Sequence, residues 1–302
     1  MTGAPLVAVL VVALSTGAAC RPAPRQEARR MDSTEVAKRD TRLAVALATA
    51  DSGAAREAAI ARWVLPQDLA EISGLALTAD ARLFAHGDEQ GRISEIDYRR
   101  GVVVKRFMIG KQPVRADFEA ITVVNDALFL LASNGKLYEF REGANGERVP
   151  YTVHDTRLGR ECEFEGVAFD PAINSLLLAC KNAGRKSLRE FLVIYRWKLR
   201  GGNGPRLSRL TVPLARVIGS NGWKGLHPSD ITVDPSSGHY VLVASQEKAL
   251  IEITPAGALI FSRPLPKDLE QAEGVAITGD SILIIGDEAA RRPAVITLYR
   301  WP

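Results

Sequence analysis

Methionine (3 residues), histidine (4) and aromatic residues (6%) are all scarce in this chain of 302 residues. No apolar run approaches the ~20 residues that a helix needs to cross a bilayer, so a multi-pass membrane protein is excluded. Lys and Arg (39) barely outnumber Asp and Glu (35), and no dense basic stripe is interleaved with aromatics, so nucleic acid is not an expected partner. The chain has no Gly-x-Ser-x-Gly nucleophile elbow, and its Gly201-Gly202-Asn203-Gly204 run lacks the Lys-Ser/Thr of a phosphate cradle. Three widely spaced cysteines cannot build a Cys-based zinc site. By contrast, 25 Gly and 16 Pro make turns plentiful, while 46% hydrophobic and 25% charged residues are ordinary globular values. The length suits either two average domains or one large repetitive one.

Pro5–Leu14 is almost unbroken apolar sequence, followed by the small residues Ser15–Ala19 and then Cys20. Too short to span a membrane, the run suits the core of an export signal. Small residues directly before a cysteine resemble a bacterial lipobox, although Gly17 stands where Leu is usual and no Lys or Arg precedes the core. The expectation is a signal peptide over 1–20, lipidation at Cys20, and an exported protein anchored in a membrane facing the periplasm or cell exterior. Ordinary cleavage after Ala19 is the alternative. Residues 21–58 read as a linker. Arg21, Arg25, Arg29 and Arg30 lie in it, and its Ala- and charge-rich part from Glu35 to Ala59 could form a helix.

From about residue 59 to the end, helical periodicity gives way to short β-patterned runs, and one cassette recurs five times. The copies are Ile72–Leu77, Phe118–Val123, Phe164–Phe169, Pro228–Val233 and Ala272–Ile277, with Ser73, Glu119, Glu165, Ser229 and Glu273 in the matching position. Intervals of 46, 46, 64 and 44 residues with several strands per unit mark a β-propeller. The 64-residue interval exceeds its neighbours by too little for another blade, so the expected architecture is all-β with five blades. The last unit stops at its third strand, and the orphan segment Ala61–Pro66 could supply the fourth, closing the ring without exposed edges.

First strands line the channel of a propeller, so the five matched residues should converge on its axis. Three carboxylates, Glu119, Glu165 and Glu273, with the hydroxyls of Ser73 and Ser229, would form an oxygen-rich site suited to a hard cation such as calcium. Asp230, Asp88, Glu247 and Asp287 could add ligands from neighbouring positions. The competing reading pairs the glutamates with Arg115, Lys181 or Lys248. His227 and His86 lie near the channel mouth, either as loop histidines bonded to backbone or as bases beside a metal-bound water. Cys162 and Cys180, in an oxidising compartment, could form a disulfide or stay as thiols, since Cys162 sits off register from its would-be partner.

Ile72-Ser73-Gly74-Leu75, Asp117-Phe118-Glu119, Phe164-Glu165-Gly166 and Gln271–Ala276 resemble the blade-start motifs of the SdiA-regulated (YjiK-like) family, over roughly residues 61–302. The resemblance implies a five-bladed propeller distantly similar to NHL repeats, a calcium site and an envelope location; it supplies no activity. Asp230 departs from the pattern, standing where the other copies have Gly or Ala. The expected function is a calcium-binding module for an unknown small molecule or envelope protein, acting as a monomer. A metal-dependent hydrolase of lactones, esters or phosphodiesters is the alternative.

Overall fold

A computed structural model describes residues 32–52, 58–199, 206–219 and 221–302. The expected signal peptide, Cys20 and the arginines at 21–30 lie outside the described residues. Five antiparallel sheets follow one another along the chain, each an up-and-down ribbon of four strands. The first strands are Ile72–Leu77, Phe118–Val124, Cys162–Asp170, Asp230–Val233 and Ala272–Ile277, which we number as blades one to five. Blade one gains a short parallel addition at Arg148–Val149. In blade five, Ala61–Val64 takes the outermost place by pairing antiparallel with Val295–Leu298.

The second strands show why the sequence reads as it does. Ile282–Asp287 and Tyr240–Ala244 are buried at every residue, whereas the outer strand Tyr151–Asp155 is largely exposed. Successive side chains of a strand point to opposite faces, and here both faces are covered. Leu176 and Leu178 pack toward blade two while Leu177 and Ala179 pack toward blade four. Val241 and Val243 likewise meet blade five, and Tyr240 and Leu242 meet blade three. Among the described residues, five apolar clusters fill the five junctions between blades. The turns after the first strands carry left-handed backbone at Ala81, Asn125, Asn174, Gly238 and Ser281. Asp170 and Asp234 cap two of these turns by accepting from Ala172 N and Ser236 N at 2.9 Å.

The extra length of the fourth interval includes a short helix, Leu214–Ile218, whose fully buried Val217 wedges between blades three and four. A longer helix, Ser33–Asp51, starts at Asp32, which accepts from Glu35 N at 2.8 Å. It lies on the blade five–blade one junction and buries Leu43 and Ala50 there. Asp40 pairs with Arg100 at 2.9 Å, Asp51 with Arg300 at 2.8 Å, and Arg39 stacks 4.9 Å from the centre of the Trp63 ring. This part of the expected linker is therefore docked on the propeller. No described helix is long and apolar enough to cross a membrane.

Candidate functional site

A β-bulge aims the repeated residue at the axis. In blade one Ile72 faces Gly87 and Gly74 faces His86, leaving Ser73 as the extra residue. Glu119, Glu165 and Glu273 are inserted in the same way. In blade four Ser229 N donates to Val243 O at 2.9 Å although Val243 already faces Asp230. A bulge leaves one side chain out of the ladder and turns it. Here it turns three carboxylates toward one end of the channel.

In blades one, two, three and five the residue after the bulge is Gly or Ala because neighbouring first strands touch backbone to backbone. A Cβ on Gly166 would stand 3.0 Å from Ile231 N, and one on Gly274 would stand 3.2 Å from Leu75 N. Asp230 occupies this position in blade four and is fully buried. Its carboxylate accepts from Ile231 N and from Val275 N of blade five, each at 2.8 Å, with the Leu75 N–H of blade one also bonded to it. Burial pushes its carboxyl well above the usual range, against these three backbone donors. Asp230 thus ties three blades at the axis and differs from the expected spare ligand.

On one side of this ring lies a cavity of about 320 Å³ bordered by Glu165, Lys181, Ser245, Gln271, Glu273 and His227. On the other side, a space of about 410 Å³ is walled by strand ends such as Leu77, Val123, Phe169 and Ile277. The channel is therefore charged at one end and apolar at the other. At the charged end Lys181 pairs with Glu165. Burial, then the charges of Glu165 and Asp117, push the Glu119 carboxyl up to about 9. Burial and Glu165 likewise push Glu273 up to about 7, while a hydrogen bond with the Ser245 side chain opposes them. Burial also raises Glu165, against the Lys181 ammonium. Burial works against the charge on Lys181, but Glu165, Glu273 and Glu119 together hold it protonated. Three glutamates thus lie around the Lys181 ammonium, with Lys248 also bordering the cavity, as the ion-pair reading anticipated in part.

Other expected ligands are already engaged. Ser229 donates to Ala272 O at 2.6 Å and accepts from Ser245 N at 3.2 Å, joining blades four and five. Asp287 accepts from Gln271 N at 2.6 Å and Glu270 N at 3.2 Å, and Glu247 accepts from His227 N at 3.0 Å. These two carboxylates hold the loops that lead into their own blades' first strands. Asp88 is half-buried, with Oδ1 lacking a partner among the described residues. Among the described residues, no three His, Cys, Asp or Glu side chains gather closely enough to hold a metal ion. His227 borders the charged cavity with Nδ1 2.7 Å from Glu247 Oε1. His86 is fully buried, and burial pushes it down to about 4, so it is neutral. Cys162 and Cys180 are joined by a disulfide with Cα atoms 5.7 Å apart. Two irregularities, with Glu165 extra on one strand and Lys181 on the other, resolve the apparent misregister: Cys180 faces Phe164 and Ala183 faces Cys162, which puts the two cysteines diagonally on one face.

Residues 217–300 match the SdiA-regulated family. This segment spans blades four and five and contains Ser229, Asp230, Glu247, Glu273 and Asp287. Of the motifs that carry the resemblance, Gln271–Ala276 lies within this match. No curated protein matches the sequence. Among solved structures, a glutaminyl cyclase from Myxococcus xanthus is similar at 12% identity and a TM-score of 0.55, over 80% of this chain and 94% of that one. A luciferin-regenerating enzyme is similar at 8% identity and a TM-score of 0.51, over 79% and 95%. The PQQ-bound aldose sugar dehydrogenase from Streptomyces coelicolor is similar at 14% identity and a TM-score of 0.50, over 79% and 98%. At such identities the likeness shows the propeller fold alone.

Proposed function

We propose that this chain is a cell-envelope binding module whose charged channel end takes a calcium-type cation beside the ligand or protein it recognises. The observation that carries this reading is the set of bulged glutamates from blades two, three and five at one end of the channel, where Lys181 is paired with Glu165. The donor chemistry suits calcium, which prefers hard oxygen ligands and accepts waters among them. The arrangement is not a finished metal centre, because Lys181 already holds Glu165. Glu119 and Glu273 are therefore the carboxylates assigned to the ion. Export and lipidation at Cys20 belong to the same proposal and rest on the signal-like sequence of residues 1–20.

A second reading, a metal-dependent hydrolase, is favoured by the Glu247–His227 pair at the rim of the same cavity. A carboxylate on Nδ1 fixes the tautomer and leaves the Nε2 lone pair to act as a base. Calorimetric titration of the full chain with calcium, with magnesium as control, tests the first reading. Saturable calcium binding that is lost in Glu119→Gln/Glu273→Gln supports it. No calcium binding by a folded protein overturns it and leaves Lys181 as the channel's own counter-ion.

A further inference from the structure

Charge is distributed unevenly along this nearly balanced chain. Residues 185–229 contain ten Lys or Arg and a single carboxylate, Glu190. They build the outer half of blade three, Phe191–Lys198 and Leu207–Pro213, and the short helix Leu214–Ile218 beyond it. Some of these cations are used locally: Arg185 pairs with Glu161, and Arg196 donates to Pro255 O. Arg206 lies 4.5 Å from the centre of the Trp197 ring, and Arg209 lies 5.9 Å from that of Tyr195. The rings hold both guanidinium groups in place. Both arginines are exposed, and no carboxylate among the described residues forms an ion pair with either.

Leu207–Pro213 is also the last strand of its sheet. It pairs with Phe191–Trp197 on one side, and among the described residues no strand bonds to its other side. Leu210 and Val212 turn toward the junction with blade four, whereas Leu207, Ser208, Arg209 and Thr211 are exposed. An edge strand offers a row of unpaired N–H and C=O groups to an extended chain lying alongside. Other blades also end in such strands, but their cations are spent: Lys105 and Arg106 of blade one pair with Glu142 and Asp68, and Arg62 of blade five pairs with Asp268. Charge therefore singles out the edge of blade three.

We propose that the outer edge of blade three receives an extended, acidic segment of a partner protein as an added strand. Its backbone would take the open edge of Leu207–Pro213, and its carboxylates would meet Arg206 and Arg209. Arg216, exposed on the helix just past Pro213, continues the positive charge beyond the strand. The same arginines reject a second copy of this chain, because pairing two such edges brings like charges together. An acidic strand turns that repulsion into attraction, so the edge selects its partner by charge. The inference stands independently of the axial site.

A capped peptide of alternating Glu and Val, as long as the 7-residue strand, is the probe for the full chain, with the Lys and Val peptide as control. The Glu peptide should bind saturably, weaken as salt rises, and protect amides of residues 207–213 from hydrogen exchange. The Lys peptide should not bind. Arg206→Glu/Arg209→Glu should weaken the Glu peptide about tenfold. Arg206→Gln/Arg209→Gln, which removes the charges without reversing them, should weaken it about threefold. No binding of the Glu peptide, equal binding by wild type and both variants, or binding that leaves residues 207–213 unprotected would overturn the assignment. So would binding to phosphatidylglycerol vesicles by a protein that ignores the peptide, which would make this edge a lipid contact.

Discussion

Replacing Glu119 by Gln should stabilise the metal-free protein, and the gain should grow with pH. The carboxyl has an ordinary value of 4.5 and is pushed up to about 9 by burial, then by Glu165 and Asp117. Between those values the folded state holds a proton that the unfolded chain has released, so stability falls as pH rises through this window. At pH 7, about 2.5 units above the ordinary value, the full cost at 1.36 kcal/mol per unit is about 3 kcal/mol. Glu119 is only partly buried, and solvent screening reduces this to about 1–2 kcal/mol. Glutamine keeps the shape without the titrating proton. In EDTA its melting temperature should exceed that of wild type by about 2–8 °C at pH 7. The two curves should converge below pH 5. Calorimetric scans from pH 5 to 9 measure this directly. A variant that melts lower than wild type at pH 8, or a gap that does not change with pH, would refute the electrostatic account of the axis.

Asp230→Ala should cost about 2–4 kcal/mol in chemical denaturation, because buried backbone N–H groups from blades four, five and one lose their acceptor. Asp230→Asn keeps one acceptor oxygen but sets its NH2 against the other backbone donor, because Ile231 N binds Oδ1 and Val275 N binds Oδ2. It should also lose about 1–3 kcal/mol; an unchanged midpoint in both variants would show that these bonds do not hold the axis. Cys162→Ala/Cys180→Ala opens a bridge spanning 18 residues and should destabilise by about 3 kcal/mol in the same assay. An unchanged midpoint would mean that the disulfide contributes nothing to stability.

Much of the fold was legible because the repeat is written twice, once in spacing and once in burial. Strands such as Leu176–Ala179 are apolar at every residue since their two faces meet different blades, and that pattern survives in the bare sequence. The bulges were not legible. They depend on two residues facing one across a ladder, which no residue type announces, although they decide where Glu119 and Glu165 point. They also explain why counting along an ideal hairpin placed Cys162 off register. Asp230 stood out from the start as the wrong residue in a small position, but its role required the neighbouring strands' N–H groups. Lys181 was visible only as one cation near the loops, and its pairing with Glu165 emerges from the packing of the channel end.

The central reading is tested most directly by the metal content of the full chain. The protein would be purified without chelator and measured by elemental analysis beside Glu119→Gln/Glu273→Gln. About one calcium per wild-type chain, with none in the folded variant, is the expected result. Calcium absent from both proteins, or present equally in both, would contradict the assignment of the axial glutamates to a cation.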